Sequence, residues 1–185
     1  MNYRPITDFW LLGRAKRANG TKRYGAYLGG FPERARKLLG VSVNVPVLHA
    51  CGGLARFYPY RGGFGPHDKT LDLDPAVSPD FDQDARDPWP MLDGQPWPAI
   101  LIDPPYSEID AAKYPPGASK YPTPHQLLTR AVEVLAPGAR VGIIHYLWPT
   151  PVKGLNPKEV AAVCVTTGRN ARARHFIVFE KEIAA

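Results

Sequence analysis

The sequence predicts one α/β domain built on a doubly wound, mostly parallel β-sheet. Short apolar, β-branched stretches alternate along the chain with amphipathic segments that begin at helix-capping residues. Four of the predicted strands end in a glycine loop or an aspartate, which is where sheets of this kind hold their ligands. A chain of 185 residues, 44% of them apolar, is long enough to bury one sizeable core.

The first half of the chain predicts one helix followed by four strands. The helix covers Phe31–Leu39, between Gly29-Gly30 and Gly40. The strands are short apolar runs that end in turn-forming residues, and they cover Val43–Ala50, Thr70–Leu73, Phe81–Ala85 and Ala99–Ile102. Because the connection from Pro75 to Asp80 is too short for a full helix, we expect a trimmed version of the fold.

The second half predicts two helices and two strands. Thr123-Pro124-His125-Gln126 has the pattern of a helix start, and the apolar stripe that follows it ends at Pro137-Gly138. Asn156-Pro157-Lys158-Glu159 repeats that pattern before Val160, Val163 and Cys164, so a second helix is expected to end near Gly168. Strands are expected over Arg140–Tyr146 and Ala173–Glu180, and the last one could run antiparallel at the edge of the sheet or beside it.

One segment is irregular. Ser107–Tyr121 contains two prolines, a glycine and two tyrosines. Its position favours an active-site loop or lid over a passive surface connection.

The net charge of +6 is unevenly distributed. Residues 1–40 carry a net +7, whereas the remaining 145 residues carry a net −1. We therefore expect a basic arm over residues 1–30 and a catalytic domain over residues 31–185. The arm is suited to a polyanion such as nucleic acid, although a solubilising tail explains the charge equally well. The candidate nucleic-acid-binding residues in it are Arg14, Lys16, Arg17, Lys22 and Arg23, and a second basic cluster comprises Arg169, Arg172 and Arg174.

Composition also argues against several classes of protein. No run approaches the roughly 18 apolar residues of a membrane helix, and Met1–Gly20 lacks the apolar centre of a signal peptide. Cys51 and Cys164 cannot form a disulfide framework, which favours a reducing, cytoplasmic location. The five histidines and two cysteines do not have the spacing of a zinc site, so we expect no metal.

The chemistry-bearing residues follow four strands in order. His49-Ala50-Cys51-Gly52-Gly53 follows the first strand, and its glycines allow backbone N–H groups to approach a ligand. An acid that ends a second strand can accept both hydroxyls of a ribose. The later segments are Asp72-Leu73-Asp74-Pro75, Asp84-Ala85-Arg86 and Asp103-Pro104-Pro105-Tyr106. Each segment alone is weak evidence, but four in the expected order make a strong case.

These segments together resemble a class I S-adenosylmethionine-dependent methyltransferase of the D-P-P-Y type, a family that methylates exocyclic amino groups of nucleobases. The resemblance covers roughly residues 40–110, and Val134–Gly138 with Arg140–Ile144 is similar to the family's later helix, P-G turn and fifth strand. It implies a Rossmann-like fold, the cofactor S-adenosyl-L-methionine and DNA as partner.

The resemblance also implies roles for individual residues. Ala50, Cys51, Gly52 and Gly53 would border the methionine moiety of the cofactor, and Asp72, with Asp74 beside it, would bind the ribose. Asp84 and Ala85 would lie near the adenine. Tyr24 belongs to the Lys22–Phe31 segment, which takes the place of the motif that contacts the amino acid end. His49 could touch the cofactor or satisfy a backbone group.

The D-P-P-Y motif suits methyl transfer to an arylamine. The Asp103 carboxylate and the Pro104 carbonyl can accept the two N–H bonds of the amino group, which directs its lone pair toward the methyl group. Pro104 and Pro105 fix the backbone, and Tyr106 would stack on the extruded base. His145, Tyr146 and Trp148 follow the fifth strand and could wall the base pocket or belong to the core.

We therefore predict a DNA amino-methyltransferase, with adenine N6 favoured over cytosine N4. The alternatives are an RNA base amino-methyltransferase and a catalytically silent nucleic-acid-binding partner. The H-A-C-G-G loop departs from the family's acid-x-Phe-x-Gly-x-Gly pattern. No segment is large enough for a separate target-recognition domain. Sequence specificity would therefore be low, or it would come from the basic arm, the 107–121 loop or the second subunit of a homodimer.

Overall fold

The computed structural model describes residues 7–13, 27–57, 63–114, 121–165 and 173–183. These residues form one eight-stranded sheet with the strand order β1-β7-β8-β6-β5-β2-β3-β4. In chain order the elements are β1 (Asp8–Leu12), α1 (Phe31–Leu39), β2 (Leu48–Ala50), β3 (Lys69–Asp72), β4 (Phe81–Asp82), β5 (Trp97–Ile102), α2 (Glu108–Ala111), α3 (Pro124–Val134), β6 (Leu135–His145), β7 (Leu155–Val165) and β8 (Arg174–Lys181).

The sheet is mostly parallel, as predicted. Neighbouring strands pair in parallel except around β8, which runs antiparallel to both β6 and β7. The last strand, β8, is thus antiparallel, as the sequence allows. It lies inside the sheet, between β7 and β6, and is the third strand from the β1 edge. A single 3-10 turn, Pro75–Val77, connects β3 to β4, which confirms the trimmed connection predicted there.

The sheet is covered by a helix on each face. On one face, α1 buries Phe31, Ala35 and Leu39 against strand residues such as Trp10 and Phe176. On the other face, α3 buries Leu127, Leu128 and Ala131 against a second set that includes Ile100 and Ile177. Alternate residues of the inner strands point into the two cores, which is the arrangement of a doubly wound sheet.

Local sequence signals set the ends of both longer helices. Gly30 and Gly40 flank α1 with left-handed φ angles of 79° and 74°. At the start of α3, the Gln126 backbone N–H donates to the Thr123 hydroxyl, and the Thr123 N–H donates to the Gln126 side chain at 3.0 Å. This is the capping box predicted from the sequence.

The helix predicted from Asn156 to Gly168 is wrong over its described part, because residues 156–165 belong to β7. The strand pairs with β1 on one side and β8 on the other, so both rows of its backbone groups enter the sheet. Pro157 lies at a register shift in the β7–β8 pair, where a residue without an N–H group is tolerated. Sheet pairing thus outweighs a local capping pattern that resembles a helix start.

Two other boundaries also differ from the prediction. Residues 43–47 lie outside β2, because the Val45 N–H donates to the Ser42 carbonyl at 3.1 Å in a turn. α3 ends at Val134 rather than at Pro137-Gly138, since Leu135 already pairs with Trp97 of β5.

One strand and one helical turn are absent from the sequence prediction. β1 lies within the 1–30 segment that is predicted as a basic arm, yet its residues pair in parallel with β7. α2 forms one turn in the 107–121 segment. Across the described ranges, no helix has the length and apolarity needed to cross a membrane.

Candidate functional site

The candidate site lies at the carboxyl ends of β2, β3 and β5. Ala50 pairs with Leu71 on one side and Ile102 on the other, so the residues that follow these three strands begin at the same level. The Asp103 N–H donates to the Ala50 carbonyl at 3.2 Å, and the Gly52 N–H donates to the Leu71 carbonyl at 3.2 Å. This register brings together the glycine loop, Asp72 and Asp103 as the sequence predicts.

The glycine loop turns sharply and closely back onto β2 and β3. Cys51 and Gly53 have left-handed φ angles of 53° and 49°. A Cβ on Gly52 would lie 2.7 Å from the His49 carbonyl oxygen and 3.2 Å from the Thr70 methyl group. Only glycine fits at this position without moving the backbone.

Asp72 holds this loop in place. Its Oδ2 accepts a hydrogen bond from the Gly53 N–H at 2.7 Å, and its Oδ1 accepts one from the Asp74 N–H at 3.0 Å. Burial raises the pKa of Asp72 above its ordinary value, although these backbone donors oppose the shift. The Asp74 side chain points along the chain and caps the following turn, where it accepts from the Ala76 N–H at 2.9 Å.

Asp84 and Ala85 lie beyond β4. The Arg86 Nε donates to both carboxylate oxygens of Asp84, at 2.9 and 3.0 Å. This hydrogen-bonded pair lowers the pKa of Asp84. Ala85 is buried, and its carbonyl accepts from the Trp89 indole N–H at 2.8 Å.

The electrostatics of Cys51 show how these carboxylates are arranged. Burial raises the pKa of the Cys51 thiol well above its ordinary value, and the negative charges of Asp72, Asp103 and Asp84 raise it further. Three carboxylates from three different strand ends therefore act on one point of the glycine loop. Their combined negative potential would favour a cationic ligand group there.

Asp103-Pro104-Pro105-Tyr106 is held as a compact unit. The Tyr106 hydroxyl donates to Asp103 Oδ1 at 2.7 Å, and Pro104 is buried. Burial raises the pKa of Asp103 to about 6, against the lowering effects of the Tyr106 hydrogen bond and the Arg174 charge. No residue in the described ranges donates a hydrogen bond to Asp103 Oδ2, so this oxygen can accept from a ligand.

Aromatic residues of the β6 end surround Tyr106. Its ring centroid lies 4.6 Å from that of Tyr146 and 5.4 Å from that of His145, which it meets edge-on. His145 is fully buried, and burial lowers its pKa to about 4. Trp148 instead packs 5.3 Å from the His175 ring. Tyr146 thus lies against the D-P-P-Y motif, whereas His145 belongs to the core beneath it.

The structure does not bring the His49 side chain to the other site residues. Its Nδ1 lies 3.1 Å from the Tyr27 hydroxyl, and its Nε2 lies 3.0 Å from Asp68 Oδ2. Asp68 is also paired with the buried Arg36. His49 therefore contacts two side chains inside the protein, and not a backbone group as one of the two interpretations of its sequence position expects.

The predicted site residues and the observed ones differ in two ways. Tyr24, Arg14, Lys16, Arg17, Lys22 and Arg23 lie outside the described residues. Arg174 reaches Tyr106 although the sequence marks it only as part of a basic cluster, and Asp68 is not marked at all. Both act across elements distant in sequence, so no local signal identifies them. The described part of the chain contains no group of three or more His, Cys, Asp and Glu residues suited to a metal ion.

Comparisons with known proteins agree on the fold. No family model and no curated protein matches the sequence. The solved structure of TrmN from Thermus thermophilus is similar at 18% identity and a TM-score of 0.55, over 84% of this chain and 49% of that one. The chain thus spans about half the length of TrmN.

Two further structures match over more of their own length. A SAM-dependent methyltransferase from Aquifex aeolicus matches at 15% identity and a TM-score of 0.52, over 81% of this chain and 89% of the other. A candidate hemolysin from Streptococcus thermophilus matches at 10% identity and a TM-score of 0.56, over 90% and 70%. The domain therefore shares the Rossmann-like fold of these solved structures, one of which is a SAM-dependent methyltransferase.

Proposed function

We propose that this protein transfers a methyl group from S-adenosyl-L-methionine to an exocyclic amino group of a DNA base, with adenine N6 as the favoured position. The observation that carries the proposal is the position of the D-P-P-Y carboxylate. Asp103 lies one residue past a strand that pairs directly with the strand before the glycine loop, and one of its oxygens is without a donor in the described ranges. That arrangement puts an acceptor for an amino group beside a loop suited to the cofactor.

The residues present fit this cofactor in charge and shape. When bound, S-adenosylmethionine supplies a methyl group on a sulfonium, and the sulfur keeps the bonding electron pair when the methyl group leaves. The negative potential of Asp72, Asp84 and Asp103 suits that cation. Gly52, which leaves no room for a Cβ, keeps the backbone of the loop packed closely against β2 and β3.

Asp72 is the candidate ribose ligand. Each of its oxygens accepts one backbone hydrogen bond, so each retains a lone pair for a hydroxyl group. The same carboxylate therefore both shapes the glycine loop and can bind the ribose. Asp84 and Ala85 then follow at the neighbouring strand end, where the adenine is proposed to lie.

Asp103 and Pro104 would orient the amino group of the target base. An arylamine shares its lone pair with the ring, so accepting both N–H bonds restores electron density to the nitrogen and fixes its direction. Asp103 Oδ2 accepts one N–H and the Pro104 carbonyl the other. Methyl transfer would leave the amino nitrogen positively charged, and Asp103 Oδ2 would accept its extra proton through the same hydrogen bond.

Besides stacking on the base, Tyr106 would hold the Asp103 carboxylate in place. Because its hydroxyl donates to Asp103 Oδ1, it fixes the carboxylate in one rotamer. Its ring, with that of Tyr146, forms an aromatic surface at the side of the motif. A base drawn out of a duplex would pack on this surface, and such stacking contributes about 1–3 kcal/mol per base.

DNA is proposed as the polymer on the D-P-P-Y resemblance and on the net +7 of residues 1–40. The charge alone supports any polyanion. RNA carries the same amino groups, so it is the alternative that the test must separate.

The test is methyl transfer from tritiated S-adenosylmethionine to unmethylated genomic DNA and, separately, to RNA, with the products digested to nucleosides. We expect label in N6-methyldeoxyadenosine. Label in N4-methylcytosine would change the base, and label in RNA alone would overturn DNA as substrate. Asp103→Ala is the inactive control, and Glu133→Ala, on the outer side of α3, is the matched control that keeps activity. No transfer to either polymer with cofactor binding shown by calorimetry would identify a silent binding protein.

A further inference from the structure

Arg174, the first residue of β8, lies against the D-P-P-Y motif from a strand that the resemblance does not include. We infer that it is a positioning residue: its guanidinium holds the Tyr106 ring and, through the Tyr106 hydroxyl, fixes the Asp103 carboxylate for its substrate. This inference rests on the proposed function for the identity of the substrate, but its geometry and the first measurement of its test do not.

The guanidinium lies over two aromatic rings. Its Cζ is 5.1 Å from the Tyr106 ring centroid and 5.6 Å from that of Tyr146, and it forms a hydrogen bond with the Tyr146 side chain. Both distances are within the range of a cation–π interaction. The Tyr106 ring is therefore held between a cation, a second tyrosine and the edge of His145.

Arg174 differs from the other partly buried arginines in its partners. Arg36, Arg86 and Arg140 each form an ion pair, with Asp68, Asp84 and Glu180 respectively. Within the described ranges Arg174 forms no such pair, and its Nε and Nη1 are buried without a hydrogen-bond acceptor.

A buried cation that has no paired carboxylate and two nitrogen atoms without an acceptor is costly to the fold. Stability alone does not explain Arg174 at this place, whereas a role in the adjacent motif does.

Arg174 also acts on the charge of Asp103. Burial raises the pKa of Asp103 to about 6, and the positive charge of Arg174 opposes this rise. The other groups that interact with Asp103 are Cys51, Tyr106 and Tyr114, whose own pKa values are raised by burial and by the Asp103 charge. They are neutral at physiological pH. Removing Arg174 therefore raises the pKa of Asp103 and loosens the Tyr106 ring at the same time.

The test compares Arg174→Met, which keeps the side-chain length without the charge, with Arg174→Lys, which keeps the charge. The first measurement is the pKa of Asp103 by carboxyl ¹³C NMR, which needs no substrate. We expect a higher value in Arg174→Met and a value near the wild type in Arg174→Lys. An unchanged pKa in Arg174→Met would overturn the inference even if the protein proved to have another activity.

The second measurement is the dependence of kcat on pH. We expect Arg174→Met to lower kcat about 10- to 100-fold at neutral pH, as displacement of a positioned group does. The acid limb should move to higher pH while the KM for S-adenosylmethionine stays the same. Arg140→Met, in the middle of β6 and opposite Glu180 near the other end of β8, is the matched control. If Arg174→Met kept its kcat but bound DNA more weakly with a smaller salt dependence, Arg174 would be a phosphate contact and not a positioning residue.

A double mutant separates positioning from a folding defect. Tyr106→Phe removes only the hydroxyl that connects the ring to Asp103. In that background Arg174→Met should cost much less in kcat than it does alone, since both changes break one chain of contacts. Equal losses in both backgrounds, or a lowered melting temperature that accounts for the whole effect, would refute the inference.

Discussion

Replacing Asp68 by asparagine should remove a large part of the stability of this domain. Asp68 is buried, pairs with Arg36 and lies 3.0 Å from the His49 Nε2. Its Oδ1 accepts from the Val47 N–H at 2.9 Å and its Oδ2 from the Gly65 N–H at 2.7 Å. One carboxylate thus joins α1, the start of β2 and the loop before β3.

The expected loss follows from the burial of the pair. The side chains of Arg36 and Asp68 are 3% and 0% exposed, so the guanidinium would remain in the core without its counter-charge. Removing one partner of a buried pair costs about 3–5 kcal/mol. The free energy of unfolding of a domain of this size is about 5–15 kcal/mol in total. Its melting temperature falls about 2–4 °C for each kcal/mol of that free energy that is lost. We expect a decrease of roughly 6–20 °C.

Urea unfolding followed by tryptophan fluorescence measures this loss, with the m-value expected to stay constant. The matched control is Glu33→Gln, which removes the carboxylate of an ion pair with Lys37 whose side chains are 50% and 73% exposed. That change should cost no more than about 0.5 kcal/mol. If Asp68→Asn cost less than about 1 kcal/mol, Asp68 would not be the buried anchor of this cluster.

The pH dependence of the stability difference between wild type and Asp68→Asn supplies a second check on the role of Asp68. Burial by itself raises the pKa of Asp68, but hydrogen bonds and charge from His49, and hydrogen bonds from Arg36 and Gly65, hold it below its ordinary value. A carboxylate with a lowered pKa contributes stability above its unfolded pKa of about 3.9 and loses it as the pH falls through the folded value. The difference between wild type and Asp68→Asn should therefore be constant near neutral pH and shrink below about pH 4.

Three further predictions concern ligand binding. Asp72→Ala should weaken S-adenosylmethionine binding at least 10-fold in calorimetry, because it removes the proposed ribose ligand and the acceptor of the glycine loop; an unchanged dissociation constant would exclude it from the site. Gly52→Ala should cost about 1–3 kcal/mol of stability and abolish cofactor binding, since its Cβ would meet backbone at 2.7 Å; wild-type behaviour in both would show that the loop is not close-packed. Neutralising Arg14, Lys16 and Arg17 should reduce the slope of log K against log salt for DNA by about 0.9 per lost phosphate contact; an unaltered slope would leave the arm as a solubilising tail.

The parts of the fold that the sequence predicts correctly are those set by neighbouring residues. The capping box at Thr123 and Gln126 lies within four residues, and the glycines around α1 act on their own backbone angles. The apolar run that becomes β5 needs only burial on both faces. In each case the signal and its effect belong to the same short segment.

β7 shows why elements that depend on distant parts of the chain could not be predicted from local sequence signals. Asn156-Pro157 has the local pattern of a helix start, and nothing within that segment reports on β1 and β8. Once those strands lie on either side, Val160 packs into one core while Ala161 and Val163 pack into the other. These residues alternate between the two cores with the period of two that marks a strand, but residues of the same types also suit a helix. The neighbouring strands therefore decide which element forms.

The same limit applies to the site. The glycine loop and Asp103-Pro104-Pro105-Tyr106 are recognisable because their members are adjacent in sequence, whereas Arg174 and Asp68 act only after β8 and α1 have packed. His49 belongs to both groups: it is next to the loop in sequence, yet its side chain points into the buried cluster around Asp68. Its place in the sequence predicted its position beside the loop but left open which groups its side chain contacts.

The distribution of charge around the site follows from the two ligands of the proposed reaction. The cofactor brings a sulfonium cation and the nucleic acid brings phosphates, so one edge of the sheet must attract opposite charges at separate places. The carboxylates that act on Cys51 lie at the ends of β3, β4 and β5, under the glycine loop. Arg174 enters from β8 and meets the motif at Tyr106, on the side of β6. Inserting β8 antiparallel beside β6 is what brings its first residue, and with it a positive charge, to the same edge where the parallel strands end. An arginine at the other end of β8 would lie too far away to act on Asp103.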